Sequence, residues 1–242
     1  MSKESSIAYI LHARAFKETS LLLHLFSQKN GRFTVVAKGV KRKGSQAQRA
    51  ILQPFNLLTV EYFGRGDMKT LSDVELISGL APLPTRALAC GYYLNELLLR
   101  SLQEWQEFES LFQSYQLAVN HLHSCSDFSP TLREFEVSLL DELGIAPSWD
   151  MDIMGVEISK TSRYYFVPEQ GFQPVSIRSN DNDELTKHSL QIEGTSLNGE
   201  AILSLGSKQF KTELNKSCQQ ITQRLLRQVI GNRPLESRKL WL

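Results

Sequence analysis

Residues 30–45 read NGRFTVVAKGVKRKGS, and this stretch contains the pattern that decides the fold class of the N-terminal part. Asn30-Gly31 is a turn signal, and in the seven residues that follow it apolar Phe33, Val35 and Ala37 recur at every second position. Such alternation is typical of a β-strand with one buried face. The strand runs into a basic loop that two glycines bracket.

Similar strand-like runs lie on both sides of this one. They cover residues 7–13, 21–26, 32–38, 57–63 and 68–76. The glycine-rich connection Gly64-Arg65-Gly66-Asp67 joins the last two as a hairpin. Five strands with a longer interruption after the third predict an OB-fold β-barrel, in which a sheet face and two loops bind single strands. Periodicity alone leaves an SH3-like barrel open as the alternative.

Beyond Pro82 and Pro84 the apolar residues change to a helical period. Helices are predicted from Thr85, over 108–122, over 129–143 before Gly144, and as one long helix over about 207–230. Residues 164–167 and 172–175 read as a hairpin, and 180–184 as a loop. The prediction is a multidomain α+β protein, an OB-fold barrel followed by a helical domain with a small inserted β-hairpin. The predicted bounds are 1–80 for the barrel, 81–148 and 181–242 for the helical domain, and 149–180 for the insert.

The charges are segregated along a chain that carries a formal net charge of only +1. Residues 1–80 hold 12 basic against 6 acidic side chains, residues 81–160 hold 4 against 12, and residues 161–242 hold 11 against 8. No acid occurs between Glu18 and Glu61. A basic module beside an acidic one favours a polyanionic partner at one end, and nucleic acid is the leading candidate.

The composition limits the environment in which the protein works. Its 41% hydrophobic and 22% charged residues are ordinary for a globular protein. Three distant cysteines, Cys90, Cys125 and Cys218, argue against a disulfide framework and a cysteine zinc site. The N-terminus lacks the apolar core of a signal peptide, and no apolar run is long enough to span a bilayer. These features predict a cytoplasmic protein with no membrane partner, and DNA as its polyanionic partner would make it nucleoid-associated.

The basic loop and its neighbours supply the candidate DNA-binding residues, because Lys and Arg neutralise backbone phosphates. The predicted set is Arg32, Lys38, Lys41, Arg42, Lys43, Arg49, Arg65 and Lys69. A solvated loop with no partner is the alternative. Nearby Phe33, Phe55, Tyr62 and Phe63 could stack on bases, although aromatic residues in strands belong more often to the core. The loop is not a phosphate-binding P-loop, because Ser45 stands where that motif needs Lys.

Catalytic patterns are missing from the sequence. His121 and His123 do not share a helix face, Asp150 and Asp152 lack a third ligand, and residues 181–183 begin a calcium loop that is not completed. We therefore expect no enzyme, no metal site and no cofactor. A metal-dependent nuclease is a distant alternative, which the missing carboxylate cluster disfavours.

The helical part offers a possible peptide site. Arg133 is an isolated cation among acids and lies beside apolar residues, and Lys216 lies on the predicted C-terminal helix. An apolar groove rimmed by such cations would capture an acidic peptide that ends in hydrophobic residues. For Arg133, a local salt bridge to a neighbouring carboxylate is the favoured alternative.

Several ordered motifs resemble one family, the bacterial recombination mediator RecO. They are residues 31–39 (GRFTVVAKG), 52–55 (LQPF), 64–71 (GRGDMKTL), 93–98 (YLNELL), 133–136 (REFE), with Leu139-Leu140 and Leu143-Gly144 after it, and 234–238 (PLESR). The resemblance implies an OB-fold domain that binds single- and double-stranded DNA and anneals complementary strands. It also implies a partner, RecR, with which recombinase is loaded onto strands coated by single-stranded DNA-binding protein.

The same resemblance implies that the acidic tail of the coating protein docks on the helical domain, at Arg133 and, less closely matched, at Lys216. Many members carry a four-cysteine zinc finger in the small insert, and this chain has no cysteine there, so no zinc requirement is expected. An RNA-binding OB-fold protein of ribosome or tRNA metabolism is the alternative from another class, because phosphate contacts and stacking do not identify the sugar.

Overall fold

The first five strands form a closed barrel. A computed structural model describes residues 3–42, 44–79, 83–175 and 196–241 of the chain. The barrel strands are β1 (Glu4–Phe16), β2 (Ser20–Ser27), β3 (Gly31–Ala37), β4 (Leu57–Phe63) and β5 (Met68–Ser78), in the order β1-β2-β3-β5-β4. β3 runs antiparallel to β2 and parallel to β5, which closes the barrel. The predicted OB-fold barrel is confirmed.

The alternation in β3 gives the barrel its core. Phe33, Val35 and Ala37 point inward and are at most 2% exposed, so residues 32, 34 and 36 face outward. Leu58, Val60 and Tyr62 of β4 fill the core from the opposite wall. Helix α1 (Gln46–Ile51) forms the connection between β3 and β4, where the sequence shows its longer interruption.

Two helices pack on the outside of β1 and β2. They are α2 (Thr85–Ser101) and α3 (Glu109–Ser124), and α3 contacts the barrel through aromatic rings. Tyr9 and Phe26 of the barrel meet Phe112 and Tyr115 of α3, with ring centroids 5.1–6.0 Å apart. The residues of the first strands therefore bury apolar surface on both sides of the sheet.

Contacts divide the chain into two compact units, Met1–Phe128 with Asn232–Leu242, and Ser129–Gly231. The first unit therefore contains α2 and α3 together with the barrel, and the division falls after Phe128 and not near residue 80. The domain bounds given by the sequence, 1–80, 81–148, 149–180 and 181–242, stay predictions. Residues 176–195, including the predicted loop at 180–184, lie outside the described residues.

The second unit combines helices with a small sheet. Its elements are α4 (Ser129–Glu142), β6 (Arg163–Val167), β7 (Gly171–Pro174), β8 (Leu197–Asn198), α5 (Gly199–Ser207), a 3₁₀ turn (Thr212–Leu214) and α6 (Asn215–Ile230). The strand order is β7-β6-β8, so the predicted hairpin is present and gains a third strand.

The prediction of one long helix over about 207–230 is confirmed for 215–230 and wrong for the residues before Asn215. Lys208 adopts a left-handed backbone with φ of 53° and ends α5, and the chain re-enters helix only at Asn215. The missed helix α5 has a readable start, since the Asn198 side chain accepts the backbone N–H groups of Glu200 and Ala201.

Within the described residues no helix is both long enough and apolar enough to cross a bilayer.

Candidate nucleic-acid interface

The basic loop lies at the end of β3, beside the turn between β1 and β2. Leu21 pairs with Ala37, and the Lys41 backbone N–H donates to the Thr19 carbonyl at 3.1 Å, so the loop follows this turn. Lys38, Lys41 and Arg42 are exposed and form no ion pair with any described residue. Their charges are available to an external anion.

Two further predicted cations are also exposed. Arg49 lies in the last turn of α1, and Arg65 lies in the hairpin connection between β4 and β5. Neither pairs with an acid among the described residues. Lys43, the remaining member of the basic loop, lies outside the described residues.

Arg32 and Lys69, in contrast, are already engaged. The Arg32 guanidinium donates from Nη1 to Glu104 Oε1 at 3.0 Å and from Nε to the Leu102 carbonyl at 3.1 Å. The Lys69 ammonium lies 5.0 Å from the Trp105 ring centroid and donates to the Gly64 carbonyl at 3.2 Å. One short segment between α2 and α3 therefore holds both cations.

This segment, residues 102–106, crosses the barrel at the start of β3. The Trp105 ring packs on Phe33 and Tyr62, with centroids 4.8 and 6.3 Å apart, and its backbone N–H donates to the Arg32 carbonyl at 2.8 Å. Gly31 has φ of +60°, and a Cβ there would lie 1.6 Å from the Gln106 carbonyl oxygen. Glycine is therefore required for the segment to approach β3.

The register divides the predicted cations into two groups. Lys38, Lys41 and Arg42 lie at the end of β3, and Arg32 lies at its start. The Lys69 backbone pairs with Val35 in the second half of β3, and its ammonium lies over the Trp105 ring. Lys38 follows Arg32 by six positions along β3, so their backbones lie about 20 Å apart. A nucleic-acid strand that touches both groups would span several nucleotides, within the roughly 4–16 that an OB fold covers.

The aromatic candidates for base stacking belong mainly to the core. Phe33, Phe55 and Tyr62 are buried, and Phe63 is half-buried. Burial raises the pKa of the Tyr62 hydroxyl to about 12, and nearby Glu4 raises it as well. The interpretation of strand aromatics as core is confirmed for Phe33 and Tyr62, and Phe55, which lies outside the strands, is buried as well.

Sequence reasoning missed the polar residues that surround Arg32. Thr34 Oγ1 donates to Glu104 Oε1 at 2.9 Å, and His24 Nδ1 lies 3.1 Å from Thr34 Oγ1. Alternation in β3 places Thr34 on the face of Arg32, and this signal could have identified it. Glu104 has no such signal, because it lies 72 residues from Arg32 in the chain.

The two predicted peptide-binding residues differ in exposure. Arg133 is 3% exposed and donates from Nη2 to Glu136 Oε1 at 2.6 Å and from Nη1 to Thr222 Oγ1 at 3.1 Å. Arg133 therefore joins α4 to α6, and the salt bridge named as its alternative role is present. Lys216 lies exposed at the start of α6. Their binding role stays a prediction, and only Lys216 can meet a docking peptide without a shift of neighbouring side chains.

No group of three or more metal-ligating side chains occurs within 3–42, 44–79, 83–175 and 196–241. His121 and His123 lie on α3 and Asp150 and Asp152 in the loop after α4. Asp152 Oδ1 accepts the backbone N–H groups of Met154 and Val156, at 2.8 and 3.0 Å. The carboxylate therefore stabilises a turn, and residues 181–183 lie outside the described residues.

Two family models together match nearly the full chain. The model described as recombination protein O N-terminal matches residues 1–80, and the model described as recombination protein O C-terminal matches residues 85–239. The boundary between the two models falls near the end of β5.

Curated relatives match over comparable lengths. A protein named DNA repair protein RecO from Alteromonas mediterranea is 32% identical over 100% of this chain and 98% of its own length. Proteins of the same name from Nitrosospira multiformis and Pasteurella multocida are each 36% identical, over 98% and 96% of this chain and 94% and 92% of their own lengths.

Proposed function

This chain belongs to the RecO family of DNA repair and recombination proteins, and from that premise we propose that it binds DNA without base specificity and anneals complementary strands. With RecR, it helps to load recombinase onto single-stranded DNA coated by single-stranded DNA-binding protein. No step of this function requires catalysis, and a cytoplasmic, nucleoid-associated location follows as a prediction.

The observation that carries the proposal is a set of exposed cations on the barrel that form no ion pair with described residues. They are Lys38, Lys41, Arg42, Arg49 and Arg65. Each cation that meets a phosphate releases counterions, and this release drives sequence-independent binding. Among the described residues of the barrel, no row of exposed aromatic rings is present. We therefore expect phosphate contacts to supply most of the affinity.

Annealing follows from charge neutralisation. Two complementary strands repel each other through their phosphates, and a basic surface that holds one strand lowers the cost of bringing up the second. Base pairing then supplies the free energy, so the reaction needs no nucleotide hydrolysis.

The second unit supplies the proposed contact with the coating protein. Lys216 is exposed on a helix, α6, that contains basic but no acidic residues over Asn215–Ile230. An acidic peptide tail is attracted to such a face. Arg133 takes part only if the side chains that bury it move.

The test is the salt dependence of binding to a fluorescent oligo(dT), measured by anisotropy. Six engaged phosphates give a log–log slope of roughly −4, from about −0.7 per phosphate on single strands. In the variant Lys41→Ala/Arg42→Ala we expect a slope flatter by about 1.4, since two contacts are lost.

The matched control is Arg86→Ala/Arg233→Ala, which removes two exposed cations from the same unit away from the basic loop. Its slope should equal that of the wild type. If both double variants change the slope equally, net charge and not the loop governs binding. An unchanged slope in Lys41→Ala/Arg42→Ala removes the loop from the interface.

Competition between DNA and RNA of one sequence separates the proposal from the RNA-binding alternative. Because phosphate contacts do not distinguish the sugars, the DNA preference must come from elsewhere on the protein. Tighter binding of RNA than of DNA would favour the alternative.

A further inference from the structure

Two donors on the outer face of β3 converge on a single anionic oxygen. Arg32 Nη1 and Thr34 Oγ1 donate to Glu104 Oε1 at 3.0 and 2.9 Å. A guanidinium and a hydroxyl directed at one oxygen form the donor set by which proteins hold backbone phosphates. The Glu104 carboxylate therefore occupies a position that suits a phosphate oxygen.

The surroundings of this position are cationic. The pKa of His24 is lowered by burial and further by His12, Arg32 and Arg14, whereas Glu104 raises it. The His12 and His24 rings are stacked with centroids 6.1 Å apart. His24 is therefore mostly uncharged at neutral pH, and the guanidinium groups near it, Arg32 and Arg14, are the groups that attract an anion to this face.

Glu104 reaches the site because its neighbour anchors the segment. Trp105 covers the end of the barrel, and its backbone has φ of 63°, a left-handed conformation that tryptophan rarely adopts. Glu104 itself is partly exposed and touches the barrel through its side chain. The carboxylate can therefore leave the donors while the Trp105 ring stays in place.

We propose that Arg32 and Thr34 form a phosphate site for a nucleic-acid backbone, and that Glu104 competes with DNA for it. The inference rests on the proposed function, because it presumes that the barrel binds DNA. The exposed cations at the other end of β3 make the first contacts, and a strand that extends along β3 displaces Glu104. Competition by Glu104 weakens the binding of a DNA segment that reaches the Arg32 site alone. It thereby favours DNA strands long enough to contact both this site and the exposed cations at the other end of β3.

The experiment measures oligo(dT) affinity against salt for Glu104→Gln, which keeps the size of the side chain and removes its charge. We expect binding roughly five- to tenfold tighter at low salt, and a slope steeper by about 0.7 because one more phosphate is engaged. The matched control is Glu107→Gln, an exposed acid three residues away without an ion pair among the described residues. Its affinity should change less than about twofold, through screened charge alone.

Coupling to Arg32 separates competition from a general charge effect. Arg32→Ala should weaken DNA binding by the wild type, and should weaken binding by Glu104→Gln more strongly, because no carboxylate then competes for the guanidinium; the double variant should lose the whole gain of Glu104→Gln. Melting temperatures of all variants report whether they fold. Should Glu104→Gln fail to fold, Glu104→Asp, which retracts the carboxylate by one methylene group, is expected to show a smaller gain in the same direction.

Equal affinities and slopes for Glu104→Gln and Glu107→Gln overturn the inference. It is also overturned if Arg32→Ala lowers the DNA affinity by the same factor in the wild type and in Glu104→Gln. These results leave the proposed function intact if the wild type binds and Lys41→Ala/Arg42→Ala flattens its slope. Failure of every variant, including the wild type, to bind oligo(dT) overturns both.

Discussion

At the scale of single residues, buried polar side chains tie helices to their neighbours. Asn95 is 1% exposed, donates to the Leu11 carbonyl at 2.8 Å and accepts from the Tyr115 hydroxyl at 2.5 Å. It therefore connects α2 with β1 and with α3. Arg133 has the corresponding role in the second unit, between α4 and α6.

We expect Asn95→Ala to lower the free energy of unfolding by roughly 2–3 kcal/mol, because a buried carbonyl and a buried hydroxyl lose their partner. Urea unfolding monitored by circular dichroism measures the change. Asn120→Ala, at an exposed position of α3, is the control and should cost less than about 0.5 kcal/mol. Equal costs for the two variants would show that the Asn95 bridge does not stabilise the fold.

Arg133→Ala should lower the free energy of unfolding by about 3–5 kcal/mol, since it removes the cation beside the buried Glu136 carboxylate. The exposed Arg227→Ala on α6 is its control. Unfolding must be measured together with capture of an acidic, hydrophobic-ended peptide. Weaker capture at unchanged stability would contradict the structural role and support direct contact.

At the scale of elements, the C-terminal segment is held by one carboxylate on α2. Glu96 accepts the backbone N–H of Glu236 at 2.9 Å and that of Ser237 at 2.8 Å, and so caps the 3₁₀ turn Glu236–Trp241. Arg100 donates to the carbonyls of Arg233 and Pro234 at 2.9 and 3.3 Å. Charge-assisted hydrogen bonds therefore connect the family motif at 234–238 to α2.

The pKa of Glu96 predicts a pH-dependent contribution from this cap. Burial raises the pKa, but the N–H groups of Ser237 and Glu236 and the charge of Arg100 outweigh it, and the net pKa is lowered. Because the pKa of Glu96 is lower in the folded than in the unfolded protein, ionised Glu96 stabilises the fold at pH values above its unfolded pKa, about 4.3. This stabilisation is lost as the pH falls through the folded pKa.

Glu96→Gln should therefore cost about 1–2 kcal/mol at pH 7, and the difference from wild type should vanish below the folded pKa of Glu96. Urea unfolding at a series of pH values from 7 to 3 measures it. Glu107→Gln supplies the baseline for an exposed acid. A cost that stays constant down to the lowest pH would mean that the cap acts through shape and not through charge.

The small insert of the second unit is held by packing. Phe172 packs against Phe166 and Trp149, with centroids 5.9 and 6.1 Å apart, and the Ile153 N–H donates to the Phe172 carbonyl at 2.9 Å. These contacts join the loop after α4 to the hairpin.

Treatment with EDTA or phenanthroline should leave the melting temperature unchanged, because packing and the Asp152 turn do not need an ion. Phe172→Ala should instead lower the stability by about 3–5 kcal/mol. A fall in melting temperature with the chelator that added zinc restores would contradict the expectation.

At the scale of the whole molecule, the proposed function needs both compact units. The barrel surface is proposed to hold DNA, and the second unit is proposed to recruit the coating protein. Annealing of naked strands then depends on the first unit alone, whereas annealing of coated strands depends on both.

Lys41→Ala/Arg42→Ala should slow the annealing of naked and of coated complementary oligonucleotides alike. Lys216→Ala should slow only the coated reaction, since α6 is the proposed site of the acidic tail. Lys160→Ala, another exposed lysine of the second unit, is the control. An equal loss on naked strands in Lys216→Ala would assign Lys216 to the DNA surface.

Local patterns of the sequence were sufficient for the barrel and for its basic loop. Alternation at Phe33, Val35 and Ala37 determined the inward face of β3, because a strand exposes its two sides in turn. Within the acid-free window over 19–60, Lys38, Lys41, Arg42 and Arg49 are exposed in the structure, whereas Arg32 is half-buried beside Glu104. Patterning failed over 207–214, because Phe210 and Leu214 keep the apolar spacing of α6 in a segment that is not α-helical.

The tertiary structure alone decided which cations are available. Arg32 meets an acid 72 residues away and Arg133 meets a hydroxyl 89 residues away, and neither pairing leaves a periodic trace in the chain. The sequence by itself determined the barrel, the charge segregation and the family motifs, because each of these is a pattern of residues that are close to one another along the chain. Whether a cation is already paired with a carboxylate of the same protein, as Arg32 is with Glu104, depends on segments that meet only after folding.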